Sequence, residues 1–198
     1  MSELQRLKGL LPPEMQSWVF VESAAAVDPP LITLEEIGRD EVEIQVDLEA
    51  WDAMALDHRN LLFWHEVGRI QNDTIPRDGW EMAALAIGLG GAIGELWVQD
   101  GLLLLMALGL SGFAGYRLYL KNNAEKRLQD AISADERAID LACRFGYSVP
   151  NAYRSLGGAL KDLVEQTRKK RRRGFYEDRL EALRKSASKA RAEMAQQE

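Results

Sequence analysis

One short segment of the sequence combines residue types that could bind a metal ion and transfer a proton. His65 and Glu66 are adjacent, and Arg69 follows four positions after His65. On a helix, positions 65 and 69 lie one turn apart on the same face. An imidazole nitrogen is a common metal ligand, and a carboxylate is a common general base. A guanidinium has no lone pair to donate and stays protonated, so Arg69 cannot bind a metal ion.

Two segments carry a resemblance to zinc peptidases. LLFWHEVGR (61–69) resembles their helix, in which His-Glu-x-x-His supplies two zinc ligands and the general base. DERAIDLACRFGY (135–147) resembles the Glu-x-x-Ala-Asp segment of the gluzincins, which include the bacterial heat-shock membrane metallopeptidase and the CAAX prenyl endopeptidases. The resemblance covers roughly residues 40–160. It implies a vestigial metal site composed of His65, Arg69, Glu136 and Asp140, with Glu66 as a vestigial general base. HRNLLFWHEV (58–67) also resembles a family of cyanobacterial and plastid membrane proteins.

Arg69 occupies the position of the second zinc-binding histidine, which leaves fewer ligands than a catalytic zinc requires. His58 and Cys143 do not restore the set, since each is seven positions from the ligand it would accompany, about 10 Å along a helix. Because a guanidinium can pair with two carboxylates, we expect Arg69 to replace the charge of the ion. We therefore expect no metal, no cofactor and no peptidase activity. Two alternatives stay open: a variant enzyme that binds zinc, and an ordinary helix face with a salt bridge between Glu66 and Arg69.

The elements that position these residues follow from local patterns. Strands are predicted over 18–22 and 41–47, the second because its apolar and polar residues alternate strictly. Helices are predicted over 49–71 (with a break near Asp57), 124–145, 150–166 and an exposed tail from Arg168. Together they predict an α+β fold, a mostly helical zincin-like domain with a short β-sheet.

Two apolar stretches, 82–98 and 101–116, interrupt this domain around an Asp100-Gly101 turn. The first contains one charge, Glu95, and the second contains none. Pairs of small residues four positions apart would let two helices approach closely in lipid: Gly90 with Gly94, and Ser111 with Gly115. We predict an inserted membrane helical hairpin. The alternative is a hairpin buried in a soluble helical interaction module.

The chain is thus divided into four parts. They are the N-terminal half of the zincin-like domain (1–81), the apolar hairpin (82–120), the C-terminal helices (121–166) and a basic then mixed-charge tail (167–198). Cations flank the hairpin at Arg77, Arg117, Lys121, Lys126 and Arg127, whereas its turn contains Asp100. This asymmetry predicts an integral membrane protein with its soluble parts on the cytoplasmic side, in a thylakoid or plasma membrane if the source is cyanobacterial.

Charge is unevenly distributed along the chain. The net charge is −6, yet six consecutive residues are basic: Arg168, Lys169, Lys170, Arg171, Arg172 and Arg173. This pattern predicts contact with anionic lipid and argues against a dedicated DNA-binding protein, so no nucleic-acid partner is expected. The single cysteine excludes an internal disulfide. The function expected from these features is that of a membrane-attached pseudo-peptidase, non-catalytic, which contacts membrane proteins during their assembly or quality control.

Overall fold

The computed structural model describes residues 2–25, 31–37, 41–74, 84–90 and 101–196. The chain divides into two units. The first combines residues 1–76 with 128–198, and the second comprises residues 77–127. We call them the α+β unit and the hairpin unit, because the second includes the predicted hairpin stretches.

The described residues form an α+β fold, mostly helical with one small sheet, as the sequence predicts. The elements are α1 (Glu3–Gly9), a 3-10 helix (Pro13–Met15), β1 (Val19–Ser23), β2 (Ile32–Glu36), β3 (Val42–Val46), α2 (Leu48–Trp51), α3 (Leu56–Gln71), α4 (Gly101–Asn122), α5 (Ala124–Arg144), α6 (Val149–Gln166) and α7 (Lys170–Ala195). Residues 84–90 are also helical.

The sheet has the strand order β1-β3-β2, with β1 parallel and β2 antiparallel to β3. The predicted strands over 18–22 and 41–47 correspond to β1 and β3. Strand β2 was not predicted, although Ile32 and Leu34 alternate with polar residues and are buried. Five residues that follow two prolines give too short a pattern to identify a strand.

Helix α3 is the central element of the α+β unit. It buries a continuous run from Asn60 to Gly68, so apolar and polar side chains alike lie away from solvent. The predicted break near Asp57 occurs slightly earlier, between α2 and α3. Asp57 lies in the first turn of α3 and does not cap it. Helices α5 and α6 agree with the predicted helices 124–145 and 150–166, and Gly146 separates them with a positive φ of 92°.

The C-terminal tail differs from its prediction. It is helical from Lys170 to Ala195, but Tyr176, Arg179 and Leu183 are buried. These positions repeat at three and four residues and form one stripe of the helix. The expectation of an exposed tail is therefore wrong for this stripe, which is hard to recognise because its central member is an arginine among many charged residues.

The hairpin unit packs through small residues. A side chain at Gly88 would collide with Ser111 Oγ and would lie 3.0 Å from the backbone oxygen of Ala107, so the two helices approach closely there. Gly90 has no neighbour within 4 Å of its would-be Cβ. Gly94, the turn at Asp100 and most of the predicted helix 82–98 lie outside the described residues. Within the described ranges, no helix is both long and apolar enough to cross a membrane.

Candidate functional site

The residues singled out by sequence lie where α3 crosses α5, and Gly68 sets the distance between the two helices. A Cβ atom at Gly68 would lie 2.8 Å from the backbone oxygen of Ala134 and 2.9 Å from Cβ of Arg137. These distances are shorter than normal van der Waals contacts, so only glycine permits this approach. One turn earlier on α3, His65 therefore reaches the facing side chain of α5.

That facing side chain is Asp135. His65 Nδ1 lies 2.8 Å from Asp135 Oδ1. Arg179 of α7 donates to both oxygens of the same carboxylate, from Nε at 3.1 Å and from Nη2 at 2.5 Å. All three side chains are deeply buried, with 3–4% of each residue exposed. We call His65, Asp135 and Arg179 the buried triad.

The proton position in the triad follows from the donor and acceptor types. His65 Nδ1 also lies 3.1 Å from Arg179 Nη2, but Nη2 can only donate, so this contact is not a hydrogen bond when Nδ1 carries a proton. A proton on Nδ1 satisfies Asp135, whereas its absence would place a lone pair against a carboxylate oxygen at 2.8 Å. We therefore assign the proton to Nδ1. Burial and the adjacent Arg179 lower the pKa of His65, so the ring is neutral at neutral pH.

The charges of the triad depend on one another. Burial alone would raise the pKa of Asp135, but Arg179 and His65 outweigh it, and the net shift of this pKa is downward. Burial likewise opposes the charge of Arg179, yet Asp135 raises the pKa of the guanidinium. Phe175 and Tyr176 also face Arg179, with ring centroids 5.9 and 6.0 Å from its guanidinium carbon. The triad is thus a paired, buried salt bridge with a neutral histidine attached.

Glu66 is paired with a different cation, Arg69. Its Oε2 accepts a hydrogen bond from Arg69 Nη1 at 2.7 Å, and Glu66 is 1% exposed. Arg69 also donates to the backbone oxygen of Thr74 at 3.5 Å, and 23% of its side chain is exposed. The spacing is that of an ordinary i, i+3 pair, but the carboxylate is not on a solvated face. The second carboxylate oxygen lies 4.0 Å from His65 Nε2, too far for a hydrogen bond.

The structure brings together some of the sequence-predicted residues and not others. His65, Glu66 and Arg69 are adjacent, whereas Glu136 and Asp140 are exposed side chains of α5. Asp135, not Glu136, contacts His65. The buried positions of α5 include 131, 134, 135, 138 and 142, a stripe with helical spacing that turns 136 and 140 outward.

Arg179 was missed by sequence reasoning, and so was the role of Gly68. Arg179 lies 114 positions after His65 in a segment rich in charge, so nothing local marks it as buried. Its best signal is the spacing to Tyr176 and Leu183, which are apolar neighbours on the same face. Gly68 was visible as a glycine inside a strong helix, a feature that often marks close packing.

The buried triad and the neighbouring pair Glu66–Arg69 together form a cluster around His65. This cluster does not suit the zinc ion that the peptidase resemblance implies. Asp135 and Glu66 are each bonded to a guanidinium, and the Nδ1 of His65 faces one. In the described part of the chain, no three His, Cys, Asp or Glu side chains are arranged to hold a metal. The cavity beside Asp135 has a volume of about 10 Å³, room for one water at most. The arrangement can hold helices α3, α5 and α7 together.

His58, the other histidine, belongs to a different contact. Its Nδ1 lies 2.6 Å from Asp162 of α6, and its ring occupies the space that a side chain at Gly158 would need. Cys143 is partly exposed, and burial raises the pKa of its thiol. Neither residue is part of the cluster around His65.

Comparison with known proteins identifies relatives. A family model described as "Protein of unknown function (DUF3318)" matches residues 5–147. The chain is 70% identical over 192 residues to a thylakoid membrane protein of Synechocystis sp., covering 97% of this chain and 91% of that protein. These matches do not show a relationship with zinc peptidases. No solved structure matches the chain.

Proposed function

We propose that this chain, which belongs to the DUF3318 family, is a membrane-associated, non-catalytic interaction protein. In this proposal the hairpin unit inserts into the lipid bilayer. The α+β unit presents surfaces for contacts with membrane proteins, in their assembly or quality control. One observation carries the proposal: the hairpin unit has small residues inside and large apolar residues outside.

The inside of the hairpin unit is a seam of small side chains. Ser111 and Ala114 are buried, and Ser111 Oγ donates to the backbone oxygen of Ala107 at 2.8 Å. Gly88 approaches this seam from residues 84–90. Helices in lipid associate through such small residues, because no hydrophobic effect between helices is available there. These small residues support the proposal that the two helices of the hairpin associate within lipid.

The outside of the same unit is apolar and exposed. Leu105 is 69% exposed and Met106 65%, and other exposed side chains are Ile87, Leu89, Leu108, Leu110, Phe113, Tyr116 and Tyr119. Soluble proteins rarely leave a continuous apolar patch in water, and such patches mark protein or membrane contacts. The name of the thylakoid relative supports the membrane as the contact.

Charges support an orientation and a second contact. The cations that flank the hairpin in sequence support placing both of its ends on the cytoplasmic side of the membrane. The exposed basic segment 168–173 would contact anionic lipid, at about 1 kcal/mol for each cation near the surface.

The cluster around His65 supports a non-catalytic role. In a zinc peptidase the corresponding imidazole and carboxylate would hold a metal ion and a water. Here Arg179 and Arg69 neutralise the buried carboxylates, so the fold is stabilised without an ion. We therefore assign the cluster a structural role in joining α3, α5 and α7.

Extraction from membranes tests the proposal. The full chain should stay in the membrane pellet after an alkaline carbonate wash. Leu105→Lys/Leu108→Lys should shift it to the supernatant, because two ammonium groups would enter the apolar face. Leu56→Lys is the matched control: Leu56 is an exposed leucine of the α+β unit, and its replacement should change nothing. Release of the parent chain by carbonate would refute membrane insertion.

A further inference from the structure

One face of the β-sheet in the α+β unit is negatively charged. Side chains of a strand alternate between two faces, and one face of the sheet is buried through Val19, Ile32, Leu34, Val42, Ile44 and Val46. The other face presents Phe20, Glu22, Thr33, Glu35, Glu43 and Gln45. We call this set the acidic sheet face.

The carboxylates of this face are in an unfavourable arrangement. Glu35 and Glu43 are directly opposite each other in the pairing of β2 with β3. Like charges in directly opposite positions destabilise a sheet. The side-chain amide of Gln45 donates to both, at 2.7 and 2.8 Å, but an amide is neutral and does not compensate their charge. Glu22 lies opposite Gln45 on the other side and adds a third carboxylate.

The local sequence does not provide the missing cations. Arg39 is the only lysine or arginine between Lys8 and Arg59. Folding alone gains nothing from opposed carboxylates, and departures from local rules of this kind are expected at functional surfaces. The face therefore suits a partner that presents lysine and arginine side chains.

The same chain contains such a surface. The six residues of the basic segment, Arg168 to Arg173, are exposed around the start of α7. Arg173 pairs with Glu177 on its own helix, and Lys169 and Arg172 also have contacts. The acidic sheet face and the basic segment both belong to the α+β unit and both have exposed side chains. Their charges are complementary, and both contain exposed charged side chains, such as Glu22 and Glu35 on the first and Lys170 and Arg171 on the second.

We infer that the acidic sheet face of one copy binds the basic segment of a second copy, and that this contact competes with the proposed lipid contact for the same cations. The two surfaces differ, so the contact is head-to-tail and can extend into chains of molecules or close into a ring. Individual exposed ion pairs are weak, so the contact depends on several pairs and on low salt. If the proposed membrane insertion holds, confinement to one plane raises the effective concentration of the surfaces. The contact between the two copies does not require membrane insertion.

Charge reversal of the full chain in an uncharged detergent tests this inference. The parent should self-associate at low salt in sedimentation velocity. Glu22→Lys/Glu35→Lys should weaken association roughly tenfold, and so should Lys170→Glu/Arg171→Glu. Mixing the two variants should restore association, since one native pair of surfaces then forms between them. A chain with all four substitutions should associate with itself, because both charges are inverted.

The control is Glu14→Lys/Lys185→Glu, which reverses one charge of each sign at exposed positions outside both surfaces. It should associate like the parent, and circular dichroism should show that every variant is folded. A parent that stays monomeric at low salt would overturn the inference. So would reversed variants that associate like the parent, or a failure of both mixing and fourfold reversal to restore association. Association that requires added anionic lipid vesicles would assign the basic segment to lipid and would also overturn it.

Discussion

The two units of the chain differ in which side chains they bury and which they expose. In the α+β unit, His65, Asp135 and Arg179 are buried at 3–4% exposure while the surface is charged. In the hairpin unit, small residues are buried and Leu105 is 69% exposed. A buried charge must be paired, because water is lost as a partner. An exposed leucine is tolerated where the surroundings are themselves apolar. This difference supports the proposal that the hairpin unit inserts into lipid while the α+β unit stays in water.

The largest expected effect tests the paired charges of the α+β unit. Arg179→Met removes the cation and leaves Asp135 buried without a partner, which should lower the free energy of unfolding by about 3–5 kcal/mol. Lys185→Met is the control, since this lysine of the same helix is 76% exposed and should cost less than about 0.5 kcal/mol. Chemical denaturation measures both.

A companion variant separates charge from packing. Arg179→Met/Asp135→Asn leaves no charge behind, so it should recover part of the stability lost by Arg179→Met alone. If the double variant is no more stable than the single one, the loss comes from packing of the long arginine side chain. The triad would then not be the electrostatic link between α5 and α7.

The next effect concerns the helix crossing that forms the cluster. Gly68→Ala places a methyl group 2.8 Å from the backbone oxygen of Ala134, so α3 and α5 must separate. We expect a loss of about 1–3 kcal/mol in the free energy of unfolding. Gly174→Ala is the control, because Gly174 in α7 has no neighbour within 4 Å and alanine favours a helix. An equal or smaller loss for Gly68→Ala than for Gly174→Ala would mean that the crossing adapts freely.

The pH dependence of stability is a smaller effect. The pKa of His65 is lowered from 6.5, so below that pH the unfolded chain binds a proton that the native chain does not. The free energy of unfolding should therefore fall as pH decreases below about 6.5, by up to about 1.4 kcal/mol per pH unit. Asp135, whose pKa is also lowered, should add a further loss as the pH falls below about 3.9.

His65→Asn isolates the first of these losses, because its amide can still donate to Asp135 and does not titrate. As the pH is lowered from 6.5, the free energy of unfolding of this variant should decrease less than that of the parent. Urea titrations at a series of pH values measure the difference. Identical slopes for parent and variant would show that other groups cause the acid sensitivity.

The smallest effect expected is that of zinc. Because guanidinium groups already neutralise Glu66 and Asp135, added zinc or a chelator should leave the melting temperature of the parent unchanged. Arg69→His restores the histidine spacing of zinc peptidases but leaves Arg179 bonded to Asp135. Added zinc should therefore not raise the melting temperature of this variant either. A rise in either protein, with stoichiometric metal in the purified sample, would favour a metal-binding function.

Much of the fold follows from local patterns in the sequence. The alternation over 41–47 predicted β3, helical patterns predicted α5 and α6, and the α+β class is confirmed. The order of His65, Glu66 and Arg69 on one helix was also determined locally, since three and four residues span one helical turn. Those relationships need no information about distant parts of the chain.

Only the tertiary structure decided which distant residues complete the cluster. Asp135 and Glu136 are adjacent in sequence, and the rotation of α5 against α3 at Gly68 determines which of them meets His65. Arg179 joins because α7 packs with the stripe that contains Tyr176 and Leu183. In the hairpin unit, the same kind of packing selected Gly88 and left Gly90 without a neighbour. Periodicity determines which residues share a face of one helix, but the partner of that face depends on contacts between segments far apart in the chain.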